Sequence, residues 1–293
     1  MGIGSEDIEL LIKLRKSGLL NPCSTVIEVG AQQLAPSFLL KTDRLIQLGH
    51  LFGIDSQLAL PEPKSTDTAY GDLHLEPAAP SARTFWQWLN FEYATIDIDG
   101  DPSSIPLDLN YDSVPMSAKG KYNLVTNFGS TEHVVNQLNA FEVIHDLTAF
   151  HGIMVHRLPC QGMHNHGFVN YNFKFFWMLA RSNGYKFVHA DFTDSGVSES
   201  MPTNIIEFLA PYKTTGVERA RDYKSVDAAF LVVMQKTFDI PFVPPIDVPT
   251  GATTNIELLR KRYWTVFEPE AFESLVNADK NRNQNAHDLK TRK

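Results

Sequence analysis

The sequence has few cysteines and no long hydrophobic run. Cys23 and Cys160 are the only cysteines in 293 residues, too few for a disulfide framework or a cysteine-rich zinc site. Such scarcity fits a reducing compartment, so we expect a cytoplasmic protein. Residues 1–20 mix charges with apolar residues at helical spacing. They predict neither a signal peptide nor a membrane span, and no membrane partner.

The sequence also lacks an excess of positive charge. The formal net charge is −8 and no long basic run occurs, which argues against a nucleic-acid partner. With 43% hydrophobic residues, the chain is long enough to bury a sizeable core. We expect one domain over residues 1–293.

Two phosphate-binding motifs are missing as well. The turn after the apolar run "STVIEVGAQQ" has Gly30 but not the pattern G-x-G-x-x-G, and no P-loop occurs. The first pattern serves a pyrophosphate and the second a nucleoside triphosphate. A site at Gly30 would therefore suit an adenosine without a pyrophosphate.

Strand and helix patterns alternate between residues 24 and 192, which predicts an α/β fold with a parallel sheet covered on both faces. Helices are predicted at 7–19, 136–150 and 173–185, the last one ending at Gly184. Strands are predicted at 24–33, 92–99, 121–129, 152–159, 186–192 and 228–236.

Two segments stand outside this alternation. Residues 34–90 predict a helical insertion after the first strand, and we expect a lid or a dimer contact there. Residues 237–293 predict a Pro-rich strap and a helix, with a flexible polar tail from about Ala278.

Short motifs follow the predicted strands in order. They are "VIEVGAQ", "ATIDID", "IPLDLN", "YNLVTNFGSTEHV" and "LTAFHGIMVHRLP". In this order they resemble the class I S-adenosylmethionine-dependent methyltransferases over roughly residues 7–236. The resemblance implies a Rossmann-like, seven-stranded, mostly parallel sheet whose last strand is antiparallel.

The resemblance also implies a binding site for S-adenosylmethionine. The turn in "VIEVGAQ" would contact the methionine part of the cofactor, and "ATIDID" would contact the ribose. The motif "IPLDLN" would contact the adenine, and "YNLVTNFGSTEHV" would form the floor of the pocket. The implied cofactor residues are Glu28, Gly30, Ala31, Gln32, Asp97, Ile98, Asp99, Asp108, Leu109, Asn127, Phe128, Gly129 and His133.

The ribose-binding acid has a second candidate. Asp55, in "HLFGID", lies nearer to Gly30 in sequence than Asp97 does. We favour Asp97 because "EYATIDID" is the better strand pattern and leads directly to "IPLDLN". Asp99 remains a further alternative.

The stretch "MHNHGFVNYN" contains the candidate bases His164 and His166. A histidine can remove the proton of an alcohol or a phenol, which favours O-methylation. The alternatives are a turn held by histidine–backbone hydrogen bonds and a metal site. We expect no metal, because no carboxylate cluster stands close in sequence, although a ligand from elsewhere, such as Glu132, stays open.

Further polar residues near these histidines are predicted to bind the substrate: Glu132, Asn165, Asn170 and Tyr171. Glu132 has an equally plain alternative as a packing residue at a helix start, with Ser130 or Thr131 as the cap. His145, His151 and His156 are interpreted as structural.

The sequence thus predicts methyl transfer from S-adenosylmethionine to a small polar molecule, assisted by histidine. Alternatives are N- or C-methylation on the same fold, a nicotinamide-dependent oxidoreductase, and a non-catalytic binding protein. A homodimer is a further expectation.

Overall fold

The computed structural model of the protein describes residues 2–35, 38, 42–60, 80–98, 104–163, 166–194, 197–200, 227–247, 255–274 and 277. The strands are β1 Thr25–Val29, β2 Glu92–Ile96, β3 Tyr122–Phe128, β4 Thr148–Gln161, β5 Lys186–Asp194, β6 Val197–Ser200 and β7 Ala228–Gln235. The helices are α1 Ser5–Lys16, α2 Thr42–Leu51, α3 Ala82–Trp88, α4 Gln137–Leu147, α5 Phe173–Asn183, α6 Ile256–Arg262 and α7 Trp264–Phe267.

The strands form one mixed sheet in the order β2-β1-β3-β4-β7-β5-β6. The first four run parallel, whereas β7 is antiparallel to both β4 and β5. The predicted α/β class with a mixed, Rossmann-like sheet is therefore confirmed. Each of the six predicted strands is present, and β6 is a short hairpin partner of β5 that the sequence did not predict.

Helices cover both faces of the sheet, because strand residues alternate between two apolar cores. On one face, Ile27 and Val125 pack with residues of α4 and α5 such as Ile144 and Phe176. On the other face, Val26 packs with residues of α1, α2 and α3. Double-sided burial explains why the central strands read as nearly continuous apolar runs.

The helix ends follow local chemistry. Gly184 ends α5 in the left-handed conformation with φ 64°, which a glycine adopts without steric cost, so the predicted stop is confirmed. Asn136 caps α4 by accepting a hydrogen bond from the backbone N–H of Asn139. None of the described helices is long and apolar enough to cross a membrane.

The described part of the insertion builds the second core. Helix α2 packs on α1, and Phe85 and Trp86 of α3 are fully buried. These aromatic residues therefore pack against the core. Residues 61–79 of the predicted lid lie outside the described residues.

The Pro-rich strap has no regular structure over residues 237–247, as predicted. The side-chain amide of Asn183 donates to the carbonyl of Val243 at 2.9 Å and accepts from its N–H at 2.8 Å. Residue Ile240 offers its carbonyl to His145 Nε2 at 2.7 Å. The strap is thus fixed to α4 and α5, and the tail from residue 278 lies outside the described residues.

Candidate active site

The carboxyl ends of β1, β2 and β3 meet at one edge of the sheet. The chain leaves β1 toward β2 on one side and returns to β3 on the other, which creates the crevice where open α/β sheets bind ligands. Because Val29 pairs with Ile96, Gly30 and Asp97 emerge side by side. Gly129 and Ser130 emerge from the neighbouring β3.

Gly30 is the tightest point of this edge. Its φ is +77°, and a Cβ atom there would lie 2.4 Å from Ser130 Oγ. Ser130 Oγ in turn donates to the carbonyl of Val29 at 2.5 Å. The turn therefore requires glycine, and it brings the β1 and β3 loops into direct contact.

The carboxylate of Asp97 closes the other side of the turn. Its Oδ2 accepts a hydrogen bond from the N–H of Ala31 at 2.9 Å. Asp55 instead lies in the loop after α2, with its side chain 99% exposed and facing His50 at 4.0 Å. Among the described residues, no hydrogen bond joins Asp55 to the turn, and Asp99 lies outside them.

Glu28 holds the turn from inside the second core. Its Oε1 accepts from Trp86 Nε1 at 2.8 Å, and its Oε2 accepts from the N–H of Gln32 at 2.9 Å and from Tyr93 Oη at 2.8 Å. Burial raises the pKa of Glu28 to about 7, against the lowering effect of these donors. Glu28 thus fixes the turn from behind rather than from the crevice.

Gln32 stands where many nucleotide-binding turns have a second glycine. Its side-chain N–H donates to the carbonyl of Gly30 at 3.0 Å. Its Oε1 is buried and has no hydrogen-bond partner among the described residues. A buried amide oxygen without a donor is costly, so this atom is suited to accept from a ligand's cationic group.

The loop that is predicted to approach adenine, residues 104–110, runs beside β2. The N–H of Ile105 donates to the carbonyl of Thr95 at 2.8 Å, which places Asp108 and Leu109 next along this edge. Asn139 Nδ2 donates to the carbonyl of Leu109 at 2.9 Å and fixes the loop to α4. Ile98 is 64% exposed next to Asp97, an apolar surface available to a flat ring.

The three residues that are predicted to form the pocket floor, Asn127, Phe128 and Gly129, have different surroundings. Phe128 points into the second core under the guanidinium of Arg157, 5.4 Å from its ring centre. The buried side chain of Asn127 donates from Nδ2 to Thr131 Oγ1 at 2.9 Å. Only the backbone of Gly129, with φ +83°, turns the chain toward Ser130 at the crevice.

Tyr171 supports the turn after β3. It is 5% exposed, and its hydroxyl lies 2.9 Å from Thr131 Oγ1 and 2.6 Å from Gln137 Oε1. Thr131 is thereby contacted by both Asn127 and Tyr171. The geometry gives Tyr171 a positioning role beneath the predicted substrate site.

Beside this turn, one carboxylate and two histidines come together. Glu132 Oε1 lies 3.4 Å from His166 Nε2 and 4.0 Å from His133 Nε2, and the two imidazole rings are 5.0 Å apart in an edge arrangement. Asn170 is exposed nearby, where its Nδ2 donates to the carbonyl of Gly162 at 3.3 Å. His164 and Asn165 lie outside the described residues.

The helix-cap interpretation of this segment is wrong. Ser130 precedes and Thr131 begins a 3-10 turn, Thr131–His133, whereas Asn136 caps the following α4. Ser130, Trp86 and Tyr93 are site-supporting residues that sequence reasoning missed. In the sequence these residues are recognisable only as polar groups within apolar or turn patterns. Such a pattern does not indicate which residue each of them contacts.

Two other histidines are structural, as predicted. His156 is fully buried, and burial lowers its pKa to about 3. Burial, followed by the charge of Lys236, lowers the pKa of His145 to about 4. His145 accepts from the hydroxyl of Tyr185 while donating to Ile240, which requires the neutral ring.

No protein-family model and no curated protein matches the sequence. Solved structures do match the fold. One is a 1,6-didemethyltoxoflavin N1-methyltransferase of Burkholderia thailandensis with bound S-adenosylhomocysteine, at TM-score 0.39 and 10% identity, covering 79% of this chain and 78% of that one. Another is a SAM-dependent methyltransferase of Archaeoglobus fulgidus, at TM-score 0.35 and 10% identity, covering 78% and 94%.

A third is phosphoethanolamine N-methyltransferase 2 of Haemonchus contortus in complex with S-adenosyl-L-methionine, at TM-score 0.39 and 9% identity. It covers 80% of this chain and 53% of that one. Such low identities and TM-scores leave the activity of this chain to be argued from its own residues.

Proposed function

We propose that this protein is an S-adenosylmethionine-dependent methyltransferase that acts on a small polar molecule. The observation that carries the proposal is the pairing of Gly30 with Asp97 at the crevice of the sheet. A glycine turn with φ +77° that contains no pyrophosphate motif stands beside a carboxylate able to accept hydrogen bonds from a cis-diol. This combination favours an adenosine cofactor without a pyrophosphate.

The chain's own residues would hold such a cofactor along the edge. Asp97 would accept from the ribose hydroxyls while keeping Ala31 in place, and Ile98 with the Asp108–Leu109 backbone would flank the adenine. Gln32 Oε1 would accept from the ammonium of the methionine part. The buried Glu28 would keep the turn closed behind these contacts.

We further propose O-methylation with help from histidine. The cofactor supplies an activated methyl group on a sulfonium. His166, 35% exposed in its side chain, would accept the proton of the acceptor hydroxyl as the oxygen bonds to the methyl carbon and the carbon–sulfur bond breaks. His133, Asn170 and the stretch with His164 and Asn165 would hold the acceptor.

Isothermal titration with S-adenosylhomocysteine and with NAD tests the cofactor. We expect binding of the first alone, and about tenfold or more weaker binding by Asp97→Ala, because a charge-assisted contact is lost. Asp55→Ala is the matched control and should bind normally. Binding of NAD alone would indicate the oxidoreductase alternative, and unchanged affinity in Asp97→Ala would refute its ribose role.

Transfer of a labelled methyl group to a metabolite panel tests the reaction. In His166→Ala we expect turnover to fall by about a hundredfold or more, with unchanged affinity for S-adenosylhomocysteine. A labelled methyl group on a nitrogen or carbon atom of the product would refute O-methylation in favour of N- or C-methylation. Cofactor binding without any labelled product would favour the non-catalytic alternative.

A further inference from the structure

The carboxylate of Glu132 is buried beside two partly exposed histidines. Its exposure is 0%, and neither Oε1 nor Oε2 has a hydrogen-bond partner among the described residues. A carboxylate removed from water is strongly unfavourable unless a cation or several donors face it. The surroundings of Glu132 therefore call for a positive charge.

Two imidazole nitrogens supply the right neighbours for a metal ion. The ligand atoms of Glu132, His133 and His166 all lie within 4.8 Å of one another. Zinc binds histidine nitrogen and carboxylate oxygen at about 2.0–2.2 Å, so two ligands at a tetrahedral angle lie about 3.4 Å apart. The measured separations from Glu132 Oε1 are 3.4 Å to His166 and 4.0 Å to His133.

The backbone holds the two loops together at this point. The N–H groups of Phe168 and Val169 donate to the carbonyl of Glu132 at 2.8 and 3.2 Å. A Cβ atom on Gly167 would lie 2.9 Å from Glu132 Cγ and 3.0 Å from that carbonyl. Only glycine lets the segment that carries His166 approach so closely, so the fold places this segment directly against Glu132.

We infer that Glu132, His133 and His166 form a binding site for a divalent transition-metal ion at the acceptor side of the crevice. Two histidines and one carboxylate suit zinc, iron, cobalt or manganese, and leave coordination positions free for water or an acceptor oxygen. The lone pair of His166 Nε2 can serve an ion or a proton but not both at once, so His166 would act as the base only in the ion-free protein.

The site can be tested without substrate or cofactor. Untagged protein is treated with a chelator, dialysed and titrated with Co²⁺, following visible absorption, and with Zn²⁺ by calorimetry. We expect one ion per chain. Glu132→Gln, His133→Asn and His166→Ala should each weaken binding by at least about a hundredfold, because each removes a direct ligand.

His50→Ala is the matched control, because His50 also stands 4.0 Å from an acid, Asp55, but without a second histidine. It should bind both ions as the wild type does, and circular dichroism should show that all variants fold. Failure of the wild-type protein to bind either ion, or equal binding by folded Glu132→Gln and His133→Asn, would overturn the inference. Neither outcome would affect the S-adenosylhomocysteine titration.

Discussion

Two glutamates are fully buried at the carboxyl edge, and their surroundings are opposite. Glu28 at the end of β1 receives hydrogen bonds from Trp86, Tyr93 and Gln32. Glu132, after β3, receives none from the described residues and faces two histidines. The first carboxylate is satisfied by the fold itself, whereas the second needs a cation or a ligand.

This difference assigns the two glutamates different roles within one site, a structural role for Glu28 and a role in binding or reaction for Glu132. Three donors around a carboxylate stabilise a local structure, here the turn that contains Gly30. A buried carboxylate without donors costs stability, and such groups concentrate where a protein binds or reacts. The part of the crevice behind the Gly30 turn is therefore a rigid frame, and the part that follows β3 carries the unsatisfied group.

The largest expected effect comes from removing the satisfied carboxylate. Glu28→Ala at about pH 6 should lower the free energy of unfolding by about 4 kcal/mol. The substitution leaves the buried N–H donors of Trp86 and Gln32 without an acceptor and creates a cavity. Urea unfolding measures it. Glu28→Gln, which keeps one acceptor oxygen, should lose less. Equal stability of Glu28→Ala and the wild type would contradict the structural role that distinguishes Glu28 from Glu132.

The pH dependence of stability should carry the signature of Glu28. Because burial raises its native pKa from 4.5 to about 7, the native state holds this proton more tightly than the unfolded chain. The contribution is fully present below pH 4.5 and is lost as the pH rises toward 7, by about 3 kcal/mol. The difference in the free energy of unfolding between the wild type and Glu28→Gln, measured from pH 4.5 to pH 7, isolates the contribution of Glu28. A difference that stays constant with pH would contradict the assignment.

The smallest effect is expected at the other glutamate. In chelator-treated protein, Glu132→Gln should change the free energy of unfolding by less than about 1 kcal/mol, with any change toward greater stability, because a buried charge is removed and no described hydrogen bond is lost. Thermal and urea unfolding measure it. A loss as large as that of Glu28→Ala would mean that Glu132 is a structural acid too.

Much of the framework could be predicted from the sequence. The strands and the main helices follow hydrophobic periodicity, and Gly30 and Asp97 are found because they directly follow strands. The insertion was harder to interpret. Its aromatic residues fit a lid as well as a core, and only the packing of Phe85 and Trp86 beneath the sheet decides for the core.

The contact between Glu132 and His166 shows where local reasoning ends. No acid stands near His166 in sequence, so the residues alone favoured a site without metal and left Glu132 only as an open ligand from elsewhere. The parallel pairing of β3 and β4 brings the two following loops together, and the close approach at Gly167 sets His166 against Glu132. A contact between residues 34 positions apart is invisible to any pattern within a single element.

The sequence by itself determined the α/β class, the order of the strands along the chain and the residues at their ends, because these depend on local periodicity and turn chemistry. Only the tertiary structure decided which buried carboxylate is satisfied and which is not. Hydrogen-bond partners such as Trp86 for Glu28 are supplied by distant segments, and burial of a charge depends on everything that packs around it.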